Sequence, residues 1–281
     1  MRLLNWLRNA LPGSRPIPLK DMRKMDGDRL LRRSRAMASA VYVGDRTVVC
    51  RVLTRYRLYV ASDDVGFGVH VMLDGLWEGW LTAFMARRIA PGMRIVDAGA
   101  NHGYYTVLFA HLTGADGHVA AIEPNPRTAG LLRKSIYANG FDPRVTVFAL
   151  AAGAEDDVTL HLEVPDHEPK NAHLVGEARP GTVAVRGARL DTLLADWPRV
   201  DFMKVDVEGN VYCTGPGGIW ILTPAGEHLG TILMEGRTSN MNWGDDDWRT
   251  LYFTGARSLH RIRLNIPGVP VPRGALTPAS S

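Results

Sequence analysis

The period of the apolar positions changes three times along the chain. Residues 20–37 place Met22, Met25, Leu30, Leu31 and Met37 at roughly helical spacing, which predicts a helix with one buried face. Residues 40–43, 46–53 and 55–62 are rich in β-branched and aromatic side chains with short polar breaks, and predict a small antiparallel sheet. A helix over 77–89 follows, ended by Pro91-Gly92. From Met93 the rhythm becomes strand, glycine turn, helix, strand. It predicts strands at 93–98, 118–123, 145–150 and 201–207, and helices at 103–112, 127–138 and 190–195. Segments 158–164 and 182–186 predict an antiparallel excursion. Alternating strands and helices imply a parallel sheet with right-handed crossovers. After Gly209 the pattern turns all-β, with short strands at 211–214, 218–222, 230–234, 250–254 and 259–264 between turns rich in Gly, Pro, Asp and Asn. Residues 266–281 are rich in proline, serine and glycine and predict a loose tail.

Composition narrows the class without naming a function. A chain of 281 residues with 46% hydrophobic and 22% charged residues has the make-up of a soluble globular protein. The net charge is +4 and the pI about 9.2, with Arg2, Arg8, Arg15, Lys20, Arg23, Lys24, Arg29, Arg32, Arg33 and Arg35 clustered early. No aromatic residues alternate with these charges, so they predict a solvated helix face and no nucleic-acid partner. Cys50 and Cys213 are far apart and match no metal spacing, so neither a metal site nor a disulfide framework is expected. A reducing, cytoplasmic compartment fits. No apolar run reaches the length of about 18 residues that a membrane span needs. Residues 1–12 put Leu3, Leu4, Leu7 and Leu11 on one helical face with Arg2 and Arg8 elsewhere. Such a helix either packs on its own domain or makes weak contact with a membrane surface.

The chemistry begins where the first strand of the α/β region ends. Val96-Asp97 leads into a turn carrying Gly99, Asn101 and Gly103. Glycines let the backbone approach a ligand closely, and in an open parallel sheet ligands sit beyond the carboxyl ends of the strands. Glu123 ends the next strand, about 20 residues on, where a ribose-binding acid belongs. Pro124 and Asn125 open the following helix. That spacing alone fits a dinucleotide as well as a methyl donor. The turn departs from the Gly-x-Gly-x-x-Gly fingerprint of dinucleotide sites, which favours S-adenosylmethionine.

Here the chain resembles the FkbM family of methyltransferases. The resemblance is carried by Val96-Asp97-Ala98-Gly99-Ala100-Asn101-His102-Gly103-Tyr104-Tyr105-Thr106 and Ala121-Ile122-Glu123-Pro124-Asn125-Pro126. Further on it is carried by Asn139-Gly140, Ala149-Leu150-Ala151-Ala152-Gly153, Leu190-Asp191 and Lys204-Val205-Asp206-Val207-Glu208-Gly209. Upstream, Asp74-Gly75-Leu76-Trp77-Glu78 resembles the acid-bearing entry helix of the same family. The resemblance implies a class I, Rossmann-like parallel sheet, S-adenosylmethionine as methyl donor, and O-methylation of a sugar or secondary-metabolite hydroxyl. The partner would then be a small-molecule or glycan acceptor. It implies that Asp97, Gly99, Asn101 and Gly103 shape the donor pocket and that Glu123, with Pro124 and Asn125 beside it, holds the ribose. Ala151 and Ala152 would lie against adenine, and Glu78 near the methionine end. Asp206 and Glu208 would face the reacting methyl group or the acceptor. Asp206 is the first candidate for a base, with Glu208 and His102 behind it. For each the alternative is structural: a carboxylate capping a turn, or a histidine at a helix start.

After Gly209 the resemblance changes. Residues 209–220, 226–232, 238–240, 250–254 and 258–264 resemble the closing part of a gluconolactonase-type β-propeller, over about 205–272. The chain therefore reads as a chimera with three parts: a helix and small antiparallel cap over 1–60, a donor-binding domain over 61–209, and a β-rich segment over 210–281. The alternatives are a metal-dependent gluconolactonase-type hydrolase, or a chimera that keeps only cofactor binding. Asp245, Asp246 and Asp247 are expected to form a solvated turn, not a metal cluster. Truncation would expose the edge of strand 201–207, and the segment Thr231-Ile232-Leu233-Met234-Glu235 is expected to dock beside it as a stand-in fifth strand.

Overall fold

A computed structural model describes residues 16–153, 155–166, 172–207, 210–215, 218–222, 228–234, 238–244, 249–255 and 259–264. The expected helix over 1–12, Asp245 to Asp247 and the tail over 266–281 lie outside these residues. The elements are, in order, α1 (Leu19–Met22), α2 (Gly27–Arg35), β1 (Ala40–Gly44), β2 (Thr47–Val52), β3 (Tyr56–Ala61), α3 (Gly68–Asp74), α4 (Gly79–Arg88), β4 (Arg94–Ala98), α5 (Tyr104–Leu112), β5 (His118–Ile122) and α6 (Pro126–Ala138). Then come β6 (Val145–Phe148), β7 (Ala151–Ala152), β8 (Val158–Glu163), β9 (His173–Val175), β10 (Thr182–Ala188), α7 (Leu190–Leu193) and β11 (Phe202–Val207). The chain continues with β12 (Asn210–Gly215), β13 (Gly218–Leu222), β14 (His228–Leu233), β15 (Thr238–Gly244), β16 (Thr250–Gly255) and β17 (Leu259–Arg263). Among the described residues no helix is long and apolar enough to cross a membrane.

The central sheet runs β14-β13-β12-β11-β4-β5-β6. Strands β6, β5, β4 and β11 are mutually parallel, and β12, β13 and β14 continue the sheet antiparallel. The parallel strands are buried on both faces, as their near-continuous apolar runs require. Ile95, Val119, Ala121 and Phe202 face one cluster, shared with α4, α5 and α6. Val96, Ala98, Ala120, Ile122 and Met203 face the other, with Leu190, Leu194 and Trp197.

Two expectations about the end of this sheet are corrected. The edge of β11 is not exposed: β12 covers it, with Val207 opposite Asn210 and Met203 opposite Thr214. Nor does Thr231–Leu233 dock on β11; it belongs to β14, and β12 and β13 lie between them. Closing a short hairpin costs less chain entropy than returning a segment from 20 or more residues away, so the first strand after the turn takes the edge. Alternation then divides the new strands between two cores. Cys213 and Trp220 join the cluster that holds Phe202, and Tyr212 and Ile219 pack with Leu251 and Phe253 of β16. Trp220 lies 5.7 Å from the Phe84 ring and 6.4 Å from Phe202, and the Arg88 guanidinium sits 4.5 Å over it. One large side chain thus ties the β-rich segment to the α/β core.

The N-terminal sheet, β1-β2-β3, has the antiparallel order expected. Its β3 edge is closed by side chains. The N–H of Arg57 donates to Asn139 Oδ1 at 3.0 Å, that of Tyr59 to Ser135 Oγ at 2.9 Å, and that of Ala61 to His102 Nε2 at 3.2 Å. Alternate residues of a strand direct their N–H groups to one side, and Ser135 and Asn139 are four apart on one helix face, so the two spacings match. Asn139 Nδ2 also donates to Arg57 O at 2.7 Å.

These bonds hold the cap on the α/β core. Replacing Ser135 and Asn139 together by Ala should lower the unfolding free energy by about 3 kcal/mol, from the loss of three bonds to β3 worth about 1 kcal/mol each. Urea denaturation reads this as a lower midpoint; an unchanged midpoint would show that the edge is held by apolar packing alone.

Candidate functional site

Strand alternation assembles the site. Asp97 follows Ile95 on β4, Glu123 follows Ala121 beyond β5, and Lys204 follows Phe202 on β11. Side chains two residues apart share a face. Asp97 is in register with Ala121 and with Lys204 on its two neighbouring strands. Three ionisable residues therefore meet at the carboxyl ends of three adjacent parallel strands, on the same face, where open α/β sheets hold ligands.

The turn between β4 and α5 folds back over them. The N–H groups of Gly99 and Ala100 both donate to Ile122 O, at 3.0 and 2.9 Å. Gly99, Asn101 and Gly103 have φ of 74°, 50° and 91°. These left-handed conformations explain the glycines. A Cβ on Gly103 would also come within 2.3 Å of Leu132 Cδ1. Asn101 tolerates the left-handed region, and its Oδ1 accepts the His102 N–H at 2.8 Å.

Glu123 closes onto this turn. Its Oε2 accepts the Asn101 N–H at 2.8 Å and its Oε1 the Asn125 N–H at 2.9 Å. Its own N–H donates to Phe148 O at 3.0 Å, which anchors it to β6. Burial pushes its pKa up to about 7, against the lowering effect of the two N–H groups and of Lys204. Asp97 is fully buried. It accepts from Thr106 Oγ1 at 2.7 Å and lies 3.6 Å from Lys204 Nζ. The Lys204 side chain is 3% exposed and donates to Gly99 O at 3.2 Å. Its Nζ stands 5.4 Å from the centre of the Tyr105 ring, whose hydroxyl donates to Glu78 Oε2 at 2.7 Å. Glu78, with φ of 44°, starts α4.

The other predicted residues fall in different places. Asn125 caps α6, accepting from the N–H groups of Arg127 and Thr128, and Pro124 links it to Glu123. Ala151 and Ala152 form β7, paired with Gly187 and Ala188 of β10 and beyond the end of β6. Asp206 occupies the β11 position opposite Val211. Its side chain, and the whole of Glu208, lie outside the described residues.

His102 requires a correction. It is fully buried, its Nε2 accepts the Ala61 N–H, and its ring stacks on Phe67 with centroids 5.3 Å apart. Burial, with Arg127 nearby, pushes its pKa down to about 3. A neutral ring already spent as an acceptor inside the core is not placed to take an acceptor's proton. Its work is to join β3 to the glycine turn. The chain just beyond is fixed similarly: Arg127 makes a two-pronged pair with Asp63, at 2.9 and 3.1 Å, and Asp64 Oδ1 accepts the N–H groups of Gly66 and Phe67.

The sequence alone points to no role for Lys204 or Thr106 and to packing for Tyr105, whose hydroxyl in fact reaches Glu78. A usable signal was the lone lysine at alternate spacing from Phe202 in an apolar parallel strand.

The chain is similar to several known proteins. Protein-L-isoaspartate O-methyltransferase 1 of Arabidopsis thaliana is 28% identical over 145 residues, which are 51% of this chain and 60% of that protein. The chain thus matches less than two thirds of that relative's length. Among solved structures, Methanocaldococcus jannaschii Trm5 in complex with adenosine is 14% identical, covering 48% of this chain and 43% of that one, with a TM-score of 0.32. A structure assigned to the gluconolactonases is 27% identical over 36% of this chain and 33% of its own, with a TM-score of 0.24. The family model of the methyltransferase FkbM domain matches residues 97–210, the part of the chain that holds Asp97, the glycine turn, Glu123 and Lys204.

Proposed function

We propose that this protein is an S-adenosylmethionine-dependent methyltransferase acting on an oxygen acceptor. The observation that carries the reading is Glu123 bonded to the Asn101 N–H, which brings a buried carboxylate and the glycine turn into one receptor. The donor set suits a sulfonium nucleoside. Each Glu123 oxygen takes one backbone N–H and keeps a lone pair for a ribose hydroxyl, and Asp97 adds negative charge beside the turn. The open turn lets main-chain groups reach the methionine portion, with Glu78 near its end. When bound, the donor supplies a methyl group already activated on sulfur. What remains for the protein is to align the acceptor oxygen with that methyl and exclude water. Asp206 and Glu208, at the end of β11, are the candidates for taking the acceptor's proton. The acceptor is proposed as a hydroxyl of a sugar or secondary metabolite, read by the N-terminal cap and the loops after the strands.

Calorimetric titration of the folded protein with S-adenosylmethionine tests the reading. We expect saturable binding, weakened about tenfold or more in Glu123→Gln, which removes a charged acceptor worth about 1.5–3 kcal/mol. Absence of heat from a well-folded sample would contradict it.

The raised pKa of Glu123 adds a pH dependence. The ionised carboxylate is the better acceptor for ribose hydroxyls, and it is present above a pH of about 7. Affinity should therefore rise as pH increases through about 7 and then level off, with about tenfold weaker binding one unit below the midpoint. Glu123→Gln should give a flat profile. A flat profile in the wild type would remove Glu123 from the ribose.

A further inference from the structure

The donor site contains a buried cation that methyl transfer does not itself require. Lys204 projects from β11 beside Asp97, its side chain 3% exposed. Burying an ammonium group is costly unless it is paired and hydrogen-bonded. Here it donates to Gly99 O, lies 3.6 Å from an Asp97 oxygen and faces the Tyr105 ring. These contacts touch the glycine turn and the acid before it. Asn101 of that same turn donates its N–H to Glu123.

We propose that Lys204 is a positioning residue for donor binding: it clamps the Gly99 carbonyl of the turn whose Asn101 N–H holds Glu123 and, by its charge beside Asp97, supports the carboxylate that would receive the ribose. The inference rests on the donor-site reading above. Two chains of contact connect Lys204 to Glu123. One is mechanical, from Nζ to Gly99 O and through Ala100 and Asn101 to the carboxylate. The other is electrostatic. The groups acting on Glu123 are the N–H dipoles of Asn125 and Asn101 and the Lys204 charge, which favour ionisation, and Asp97, which opposes it. Asp97 and Glu123 are two carboxylates in one buried cluster, and such pairs resist ionising together. Lys204 lies beside Asp97 and relieves that repulsion.

The geometry separates the two roles. Lys204→Gln keeps a donor for Gly99 O and loses the charge. Lys204→Met loses both. Lys204→Arg keeps the charge. The pH dependence of S-adenosylmethionine binding, followed by calorimetry on the full chain, is the readout. A purely structural lysine would alter affinity at every pH without moving the midpoint. We expect Lys204→Gln to move the midpoint upward from about 7 by about one pH unit. Lys204→Met should show the same shift with weaker binding on the high-pH plateau, and Lys204→Arg should keep the wild-type midpoint. A folded Lys204→Gln or Lys204→Met with the wild-type midpoint would overturn the proposal. If neither uncharged variant folds, a Lys204→Arg midpoint displaced by half a unit or more would overturn it. These outcomes differ from failure of the donor-site reading, in which the wild type itself binds no donor.

Discussion

Two carboxylates and an ammonium group are held out of water at the ends of three neighbouring parallel strands, and the surrounding structure is arranged to make that tolerable. An isolated buried charge costs several kcal/mol, so each group must find partners within reach. Asp97 has the Thr106 hydroxyl and Lys204; Glu123 has two backbone N–H groups; Lys204 has the Gly99 carbonyl. Two of these partners, the Asn101 N–H and the Gly99 carbonyl, come from the turn between β4 and α5. That turn can supply them only because Gly99, Asn101 and Gly103 take left-handed backbone conformations. The glycines and Glu123 are one device, since a turn of another shape would take the Asn101 N–H from Glu123 and the Gly99 carbonyl from Lys204.

The remaining elements brace this device from outside. The N-terminal sheet meets it through His102, which accepts from β3 while its own backbone belongs to the turn. The loop that follows β3 is clamped by Arg127 at the start of α6, one turn of chain beyond Glu123. On the other side, β12 and β13 cover the strand that carries Lys204, and Trp220 packs them against α4. The β-rich segment therefore has a defined task in the fold whatever its origin: it closes the edge that an ending at β11 would leave open.

Much of this was legible in the sequence, for identifiable reasons. The strand–turn–helix rhythm from Met93 to Val207 follows from buried apolar runs broken by glycine, and those elements were located to within a few residues. The turn and Glu123 were found because their chemistry is local, a short motif and one acid at a fixed distance. The role of Lys204 is not legible locally, because it depends on the register between β4 and β11 that sets it opposite Asp97, which no local pattern encodes. His102 was misread for a related reason. A histidine at a helix start offers the same local signal whether it faces a ligand or the backbone of Ala61. Helix α3 runs only from Gly68 to Asp74, too few turns to display a period, although Asp64 caps its approach and Gly75 ends it. The docking of Thr231–Leu233 failed because apolar character and a terminal acid describe a strand without naming its neighbour.

The central claim is that Glu123 and the Gly99–Gly103 turn together form the receptor for a sulfonium nucleoside. A crystal structure of the protein with S-adenosylhomocysteine tests it most directly. The ribose hydroxyls are expected within hydrogen-bond distance of the Glu123 carboxylate, with the homocysteine chain running along the turn above Asp97 and Lys204. A ligand bound elsewhere, with Glu123 still closed on Asn101 and Asn125 alone, would contradict it.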